Sequence, residues 1–289
     1  MHIVSLIARP GKLDAALVEN LRNAFGGGTA TWLSPDEAAE FPVEAIPSNL
    51  SDVRASIADQ ADLNVLPTEN RRKRMLLADM DSTMIQQECI DELAEEAGVG
   101  ERVKDITARA MNGELDFEGA LIERVALLKG LPENVIDTVV ANRITLMPGG
   151  RELLATMKAN GGHAALVSGG FTAFTTRVSA LLGFDENRAN TLLIEDDTLS
   201  GEVGRPILGR EAKIDALEQI TARIGISEAD VIAVGDGAND LGMLGRAGLG
   251  VALHAKPTVQ EQSDCRVNHG DLTALLYLQG YSKDAFVKP

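Results

Sequence analysis

The stretch Met75-Leu76-Leu77-Ala78-Asp79-Met80-Asp81-Ser82-Thr83 decides how this chain is read. The apolar residues ahead of Asp79 predict a short buried strand. Two carboxylates then arrive two positions apart, where that strand ends. Alternation along an extended chain puts residues i and i+2 on the same side. Two like charges side by side cost free energy unless a cation or a proton lies between them. An open α/β sheet takes its ligands at the carboxyl ends of its strands. The stretch therefore reads as a metal-assisted carboxylate site. An Asx-turn or a helix N-cap is an equal alternative here, since Asp, Ser and Thr favour those positions.

The whole chain sets the bounds. Its 289 residues are enough for a full core and one or two smaller modules. Apolar residues make up 45% and charged residues 24%, as in ordinary globular proteins. With 27 Lys and Arg against 43 Asp and Glu, the net charge is −16, which argues against a nucleic-acid backbone as partner. It favours a divalent cation as guest in any carboxylate cluster, and a phosphate would need locally placed cations. Cys89 and Cys265 have no CxxC spacing and read as buried, reduced thiols. No apolar run is long enough to span a membrane and the first residues lack a secretory signal, so the expected location is cytoplasmic.

Residues 1–70 read as a β-α-β-β-α-β series: strands over 3–8, 29–34, 43–46 and 61–66, with helices over 13–24 and 49–57. That is the split βαβ, ferredoxin-like order. It resembles the ACT-type modules that regulate amino-acid enzymes, which implies an amino-acid effector at this unit. The basic run Arg71-Arg72-Lys73-Arg74 reads as a solvated linker. Residues 84–146 change to nearly pure helix, predicted as a cap over the end of the preceding strand. From residue 147 the βα alternation resumes, with strands at 163–167, 231–235 and 249–253 and helices at 150–159, 210–224 and 238–246. A β-hairpin is predicted around Asp196-Asp197. The fold class is therefore α/β: a Rossmann-like, doubly wound parallel sheet formed by 71–83 and 147–289.

Three strand ends deliver polar groups: Asp79 and Asp81, then Ser168-Gly169-Gly170, then Gly235-Asp236-Gly237-Ala238-Asn239-Asp240. Each alone could be a turn or a cap. In a doubly wound sheet they converge on one crevice. Asp79, Asp81, Asp236 and Asp240 offer the hard oxygen ligands that suit Mg²⁺. Ser168 and the amides after it, opening a helix, can donate to phosphate oxygens. Lys213 falls in a first helical turn, where a cation opposes the helix dipole and suggests a nearby anion. Arg124 sits on an otherwise apolar stripe with Phe117, and Glu88 opens the cap. The pair could hold a carboxylate and an ammonium. An exposed Glu88 and a snorkelling Arg124 is the plainer alternative.

In order and type, Asp79 to Thr83, Ser168-Gly169, Lys213 and Gly235 to Asp240 resemble the four motifs of the haloacid dehalogenase superfamily. The resemblance covers roughly residues 75–268. It implies that Asp79 attacks phosphorus to form an aspartyl-phosphate, and that Asp81 is the acid and base. It implies that Mg²⁺ is held by Asp79, the Asp81 carbonyl and Asp236, with Asp240 in support, and that Lys213, Ser168, Gly169, Gly170 and Asn239 meet the phosphate. The spacing of Glu88, Met111, Phe117 and Arg124 is similar to that of the phosphoserine phosphatases, where Glu and Arg read the amino and carboxylate groups of the substrate. Phosphoserine hydrolysis in serine biosynthesis is the implied activity. Another phosphomonoester, phosphoryl transfer to an acceptor such as homoserine, or a non-catalytic amino-acid sensor are the rivals. The sequence leaves a homodimer open.

Overall fold

The computed structural model describes residues 1–111 and 114–288; the side chain of Met111 lies outside the described residues. The amino-terminal unit comprises β1 (His2–Ile7), α1 (Ala15–Ala24), β2 (Thr31–Ser34), β3 (Ala38–Val43), α2 (Leu50–Ser56) and β4 (Asp62–Pro67). Its antiparallel sheet runs β2-β3-β1-β4. Asp14 caps α1 through the Ala16 amide, and Val18 and Leu21 of α1 pack on Val4, Leu6 and Phe41 in a core of its own. The strand expected at 43–46 lies earlier, at β3. Pro42 is tolerated inside β3 because β2 pairs only as far as Thr31↔Glu40, so Pro42 faces no β2 partner.

The larger unit comprises β5 (Met75–Ala78), α3 (Cys89–Glu96), α4 (Gly100–Met111), α5 (Phe117–Ala126), α6 (Val135–Asn142), α7 (Gly150–Ala159), β6 (His163–Phe171), α8 (Thr172–Leu182) and β7 (Glu186–Asn190). It continues with β8 (Leu192–Glu195), β9 (Thr198–Val203), α9 (Arg210–Ile224), β10 (Val231–Gly235), α10 (Leu241–Arg246), β11 (Leu249–Leu253), α11 (Pro257–Glu261), β12 (Cys265–Val267) and α12 (Ala274–Leu278). Six of these strands form a parallel sheet in the order β12-β11-β10-β5-β6-β7. The chain winds outward from β5 through β6 to β7, then returns to β10 and winds the other way. The switch point therefore lies between β5 and β10, where ligands of such sheets bind. β5, β10 and β11 are wholly buried, so they read as unbroken apolar runs. The hairpin β8–β9 turns at Asp196 and Asp197, both at positive φ.

Three local expectations are corrected, and one strand lies where none was expected. β7 is a strand although Glu-Asn-Arg-Ala-Asn is polar, because it is an edge strand that pairs only with β6. Ser168-Gly169-Gly170 does not open a helix: it continues β6 through a register shift, and α8 starts only at Thr172. The helix expected from 238 starts at Leu241, because the Asp240 carboxylate folds back onto the Asp236 and Gly237 amides. The basic run is only half solvated: Arg72 and Arg74 are exposed, whereas Arg71 and Lys73 are partly buried. Arg71 pairs with Glu40 at 2.6 Å and donates to the Leu278 carbonyl at 3.1 Å, and Arg72 stacks over the Tyr281 ring. These contacts, with α12 packed on β1, hold the amino-terminal sheet against the larger unit.

Candidate active site

The ladder between β5 and β10 runs one residue past the end of β5, since the Asp79 amide donates to Val234 O of β10 at 3.0 Å. That bond fixes Asp79, only 5% exposed, against the end of β10. The Met80 carbonyl then accepts from the Thr83, Met84 and Ile85 amides, and Ser82 takes φ +54°. The chain therefore turns sharply, and Asp79 and Asp81 project into one cavity of about 360 Å³. The Asp81 carboxylate caps α3 by accepting from the Cys89 amide at 2.9 Å and accepts from the Ser168 hydroxyl at 3.1 Å.

Lys213, 1% exposed, reaches from α9 to Asp79 Oδ1 at 2.7 Å and Asp240 Oδ1 at 2.5 Å. The Met80 amide donates to the same Asp79 oxygen at 2.8 Å. Among the described residues, Asp79 Oδ2 accepts no hydrogen bond. Both Asp240 oxygens are engaged, one by Lys213 and the other by the Asp236 and Gly237 amides. Thr83, buried, donates to Asp236 Oδ1 at 3.4 Å. One oxygen each from Asp79, Asp236 and Asp240 lie within 4.8 Å of one another.

Electrostatics follow from this crowding. Burial, then the neighbouring Asp240 charge, pushes Asp79 well above the usual carboxylate range despite Lys213. Burial raises Asp81 against the pull of its Cys89 and Ser168 donors. Burial and Asp240 lift Asp236 to about 6. Burial alone would lower Lys213, but Asp79 and Asp240 together hold it above its ordinary value and keep it protonated. Four aspartates thus face one buried lysine. A phosphate could not enter such a cluster unless a cation offset the surplus, and the hard-oxygen donor set fits a divalent ion.

Helices α3, α4 and α5 supply the other wall. Glu88 is exposed as a residue, but its carboxylate lines the cavity and accepts from the Ser82 hydroxyl at 2.7 Å; desolvation at that wall, with the Asp81 charge, raises it to about 7. Arg124 lines the same cavity and donates through Nε to its own helix at the Ala120 carbonyl. No ion pair to its guanidinium is found among the described residues, although Asp91, Glu88 and Asp81 all bias it electrostatically. Phe117 reaches across from α5: a β-carbon at Gly169 would lie 3.3 Å from its ring. A β-carbon at Gly170 would lie 2.9 Å from Asp81 Oδ2 and 3.0 Å from Ser168 Oγ, so glycine is needed there. Asn239 also lines the cavity. The expected role of Met111 falls on a side chain outside the described residues. All the other expected residues gather here, with Lys213 and Asp240 just behind the wall.

Some residues of the site escaped the sequence reading. Asn190, 2% exposed, donates to the Gly169 and Leu208 carbonyls and accepts from the Leu208 amide, so it ties the glycine segment of β6 to the approach of α9. Nothing in its local pattern announced this. Lys256 and Asp91 also line the cavity. Lys256 follows the end of β11, and the strand-end rule could have found it.

The family model of the haloacid dehalogenase-like hydrolases matches residues 76–245. A phosphoserine phosphatase of Haemophilus influenzae is 49% identical over 204 residues, covering 71% of this chain and 65% of that relative. The match thus spans slightly less than two thirds of the relative's length. A solved phospho-aspartyl intermediate analogue of phosphoserine phosphatase is 42% identical, with a TM-score of 0.66 over 71% of this chain and 98% of that one. A crystal structure of a haloacid dehalogenase family hydrolase from Salmonella enterica serovar Typhi is 31% identical, with a TM-score of 0.88 over 98% and 99% of the two chains.

Proposed function

The chain belongs to the haloacid dehalogenase-like hydrolases, and from that premise we propose that it is a Mg²⁺-dependent phosphatase of O-phospho-L-serine working through an aspartyl-phosphate on Asp79. The observation that carries the reading is the cavity that holds Asp79, Asp81, Glu88 and Arg124 together. One end suits phosphoryl transfer. The other offers one carboxylate and one guanidinium, the complement of an amino acid's two charges. The similarity to phosphoserine phosphatases supports the same substrate.

Asp79 Oδ1 is occupied by Lys213 and Met80, which leaves Oδ2 as the oxygen to attack phosphorus. As the Asp79–phosphorus bond forms, the bond from phosphorus to the serine oxygen breaks. Asp81, raised by burial, delivers its proton to that oxygen. Asp81 then accepts a proton from water, whose oxygen attacks phosphorus and releases phosphate and the free Asp79 carboxylate. Ser168, Gly169 and Gly170 at the end of β6 bound the phosphoryl site. The Asp79 and Asp236 carboxylates with the Asp81 carbonyl would hold Mg²⁺, which when bound supplies positive charge for the phosphoryl oxygens. Asp240, with both oxygens engaged by the protein, acts through Lys213 and the 236–237 amides.

The proposed organisation is an ACT-like unit over 1–70, a catalytic core over 71–83 and 147–289, and a helical cap over 84–146. Among the described residues no helix is long and apolar enough to cross a membrane. A cytoplasmic enzyme of serine biosynthesis, with an amino-acid effector at the ACT-like unit, completes the proposal. A panel of phosphorylated metabolites, assayed with Mg²⁺ and with chelator, tests it. Phosphoserine should lead the panel, and chelation should stop turnover reversibly. Phosphoryl transfer to added homoserine outrunning phosphate release would reject the hydrolase reading.

A further inference from the structure

Two arginines meet at the seam between the two sheets, in a cavity that shares no lining residue with the catalytic one. The edge strands β4 and β12 meet there. Asn64 of β4 bridges the backbone of Arg266 in β12, donating to its carbonyl and accepting from its amide, each at 2.9 Å. Beside this junction is a cavity of about 190 Å³, lined by Arg54 of α2 and Arg266 together with Ser51, Asp62, Gln260 and Asn268.

The charges of this cavity do not balance. Arg54 donates through Nε to the Leu63 carbonyl at 2.7 Å, and Arg266 Nε is buried with no hydrogen-bond partner. Neither arginine forms an ion pair among the described residues. The acidic residue in the lining, Asp62, is already engaged: it accepts from the Asn268 and His269 amides, each at 2.9 Å. Burial first, then the Arg266 charge, lowers Arg54, and no carboxylate is among the groups that offset this. Two like charges are thus held near each other in a protein of net charge −16, where carboxylates are abundant. Such an arrangement costs free energy unless an anion joins it.

We propose that the seam is an oxyanion site, which takes a phosphate or carboxylate group between Arg54 and Arg266. Guanidinium forks suit the planar or tetrahedral oxygens of such groups. Arg54 belongs to the amino-terminal unit and Arg266 to the last strand of the parallel sheet, so a bound oxyanion would clip the two units together. The inference does not rest on the catalytic reading.

Crystals of the full chain soaked in tungstate, whose anomalous signal marks oxyanion sites, test the proposal directly. Density between the two guanidiniums is expected. Back-soaking in inorganic phosphate or in acetate then identifies the source, because the accepted group displaces tungstate. Calorimetric titration with phosphate should lose this component in Arg266→Gln, with affinity at the site at least about tenfold weaker. Arg54→Lys should keep part of it. Tungstate confined to the catalytic cavity, or density at the seam that neither phosphate nor acetate displaces, would overturn the proposal. The soak needs no variant, so a misfolded substitution cannot protect it.

Discussion

Lys213 Nζ stands 2.7 Å from Asp79 Oδ1, and the two side chains are all but sealed from solvent. A lysine in the first turn of a helix works against the helix dipole. Here the opposing carboxylates of Asp79 and Asp240 outweigh that cost and the cost of burial. The same pairing assigns the two oxygens of Asp79 to different tasks, one held and one left to react.

Removing the lysine should therefore damage both fold and chemistry. Lys213→Ala leaves two buried carboxylates without their cation, a loss of roughly 3–5 kcal/mol in unfolding free energy. Turnover should fall by at least about 10²-fold, as when an electrostatic stabiliser of a transition state is deleted. Urea unfolding and kcat, measured at one temperature, check the two effects. A variant that turns over normally would mean that Lys213 is structural only.

The pH dependence should report Glu88. Burial and Asp81 raise it to about 7 from an ordinary 4.5, so the folded protein holds this proton more tightly than the unfolded chain does. Stability from this group therefore declines as pH rises between those two values. Glu88→Gln should raise the Tm at about pH 8 and leave it unchanged at about pH 4, below both values. Only the ionised form pairs with an ammonium, so KM for phosphoserine should climb as pH falls below about 7. In Glu88→Gln the KM should be high and flat with pH.

Arg124 should discriminate between substrates. It lines the cavity with no ion pair among the described residues, as a group waiting for a substrate carboxylate would. Arg124→Ala should cost roughly 2–5 kcal/mol in kcat/KM for phosphoserine. The loss on an aryl phosphate without a carboxylate should be slight. Equal losses on the two substrates would make Arg124 a packing residue.

At the seam between the units, Arg71→Ala should destabilise without touching catalysis. The guanidinium meets both oxygens of Glu40, at 2.6 and 3.2 Å, and both side chains are only about 15% exposed. Leaving Glu40 unpaired should cost roughly 3–5 kcal/mol. Differential scanning calorimetry should show a lowered Tm, while kcat well below that Tm stays near wild type.

Arg71 also marks where sequence reading stops. Its partners, Glu40 and Leu278, are remote in the chain, so a basic run that looked like a solvated linker became the fastening of two units. Asn190 escaped for the same reason. The apolar runs of β5, β10 and β11 were legible because parallel strands covered on both faces carry no polar alternation. β7 was not, because an edge strand tolerates polar residues. The catalytic groups were legible for a topological reason: the sheet gathers its strand ends, so residues far apart in sequence could be placed in one crevice before any contact was known. The glycine pair at the end of β6 shows the limit of that rule. Its location was right, but Gly170 is required by the approach of Asp81, not by a helix start.

The central claim is the covalent phosphoenzyme on Asp79. The most direct test is an acid quench of the enzyme turning over O-phospho-L-serine labelled in its phosphate, followed by mapping of any label on the chain. An acid-stable, base-labile label on the peptide containing Asp79 is the result expected, and its absence in Asp79→Asn should coincide with lost turnover. Full turnover by Asp79→Asn, or label mapped to a residue other than Asp79, would contradict the mechanism.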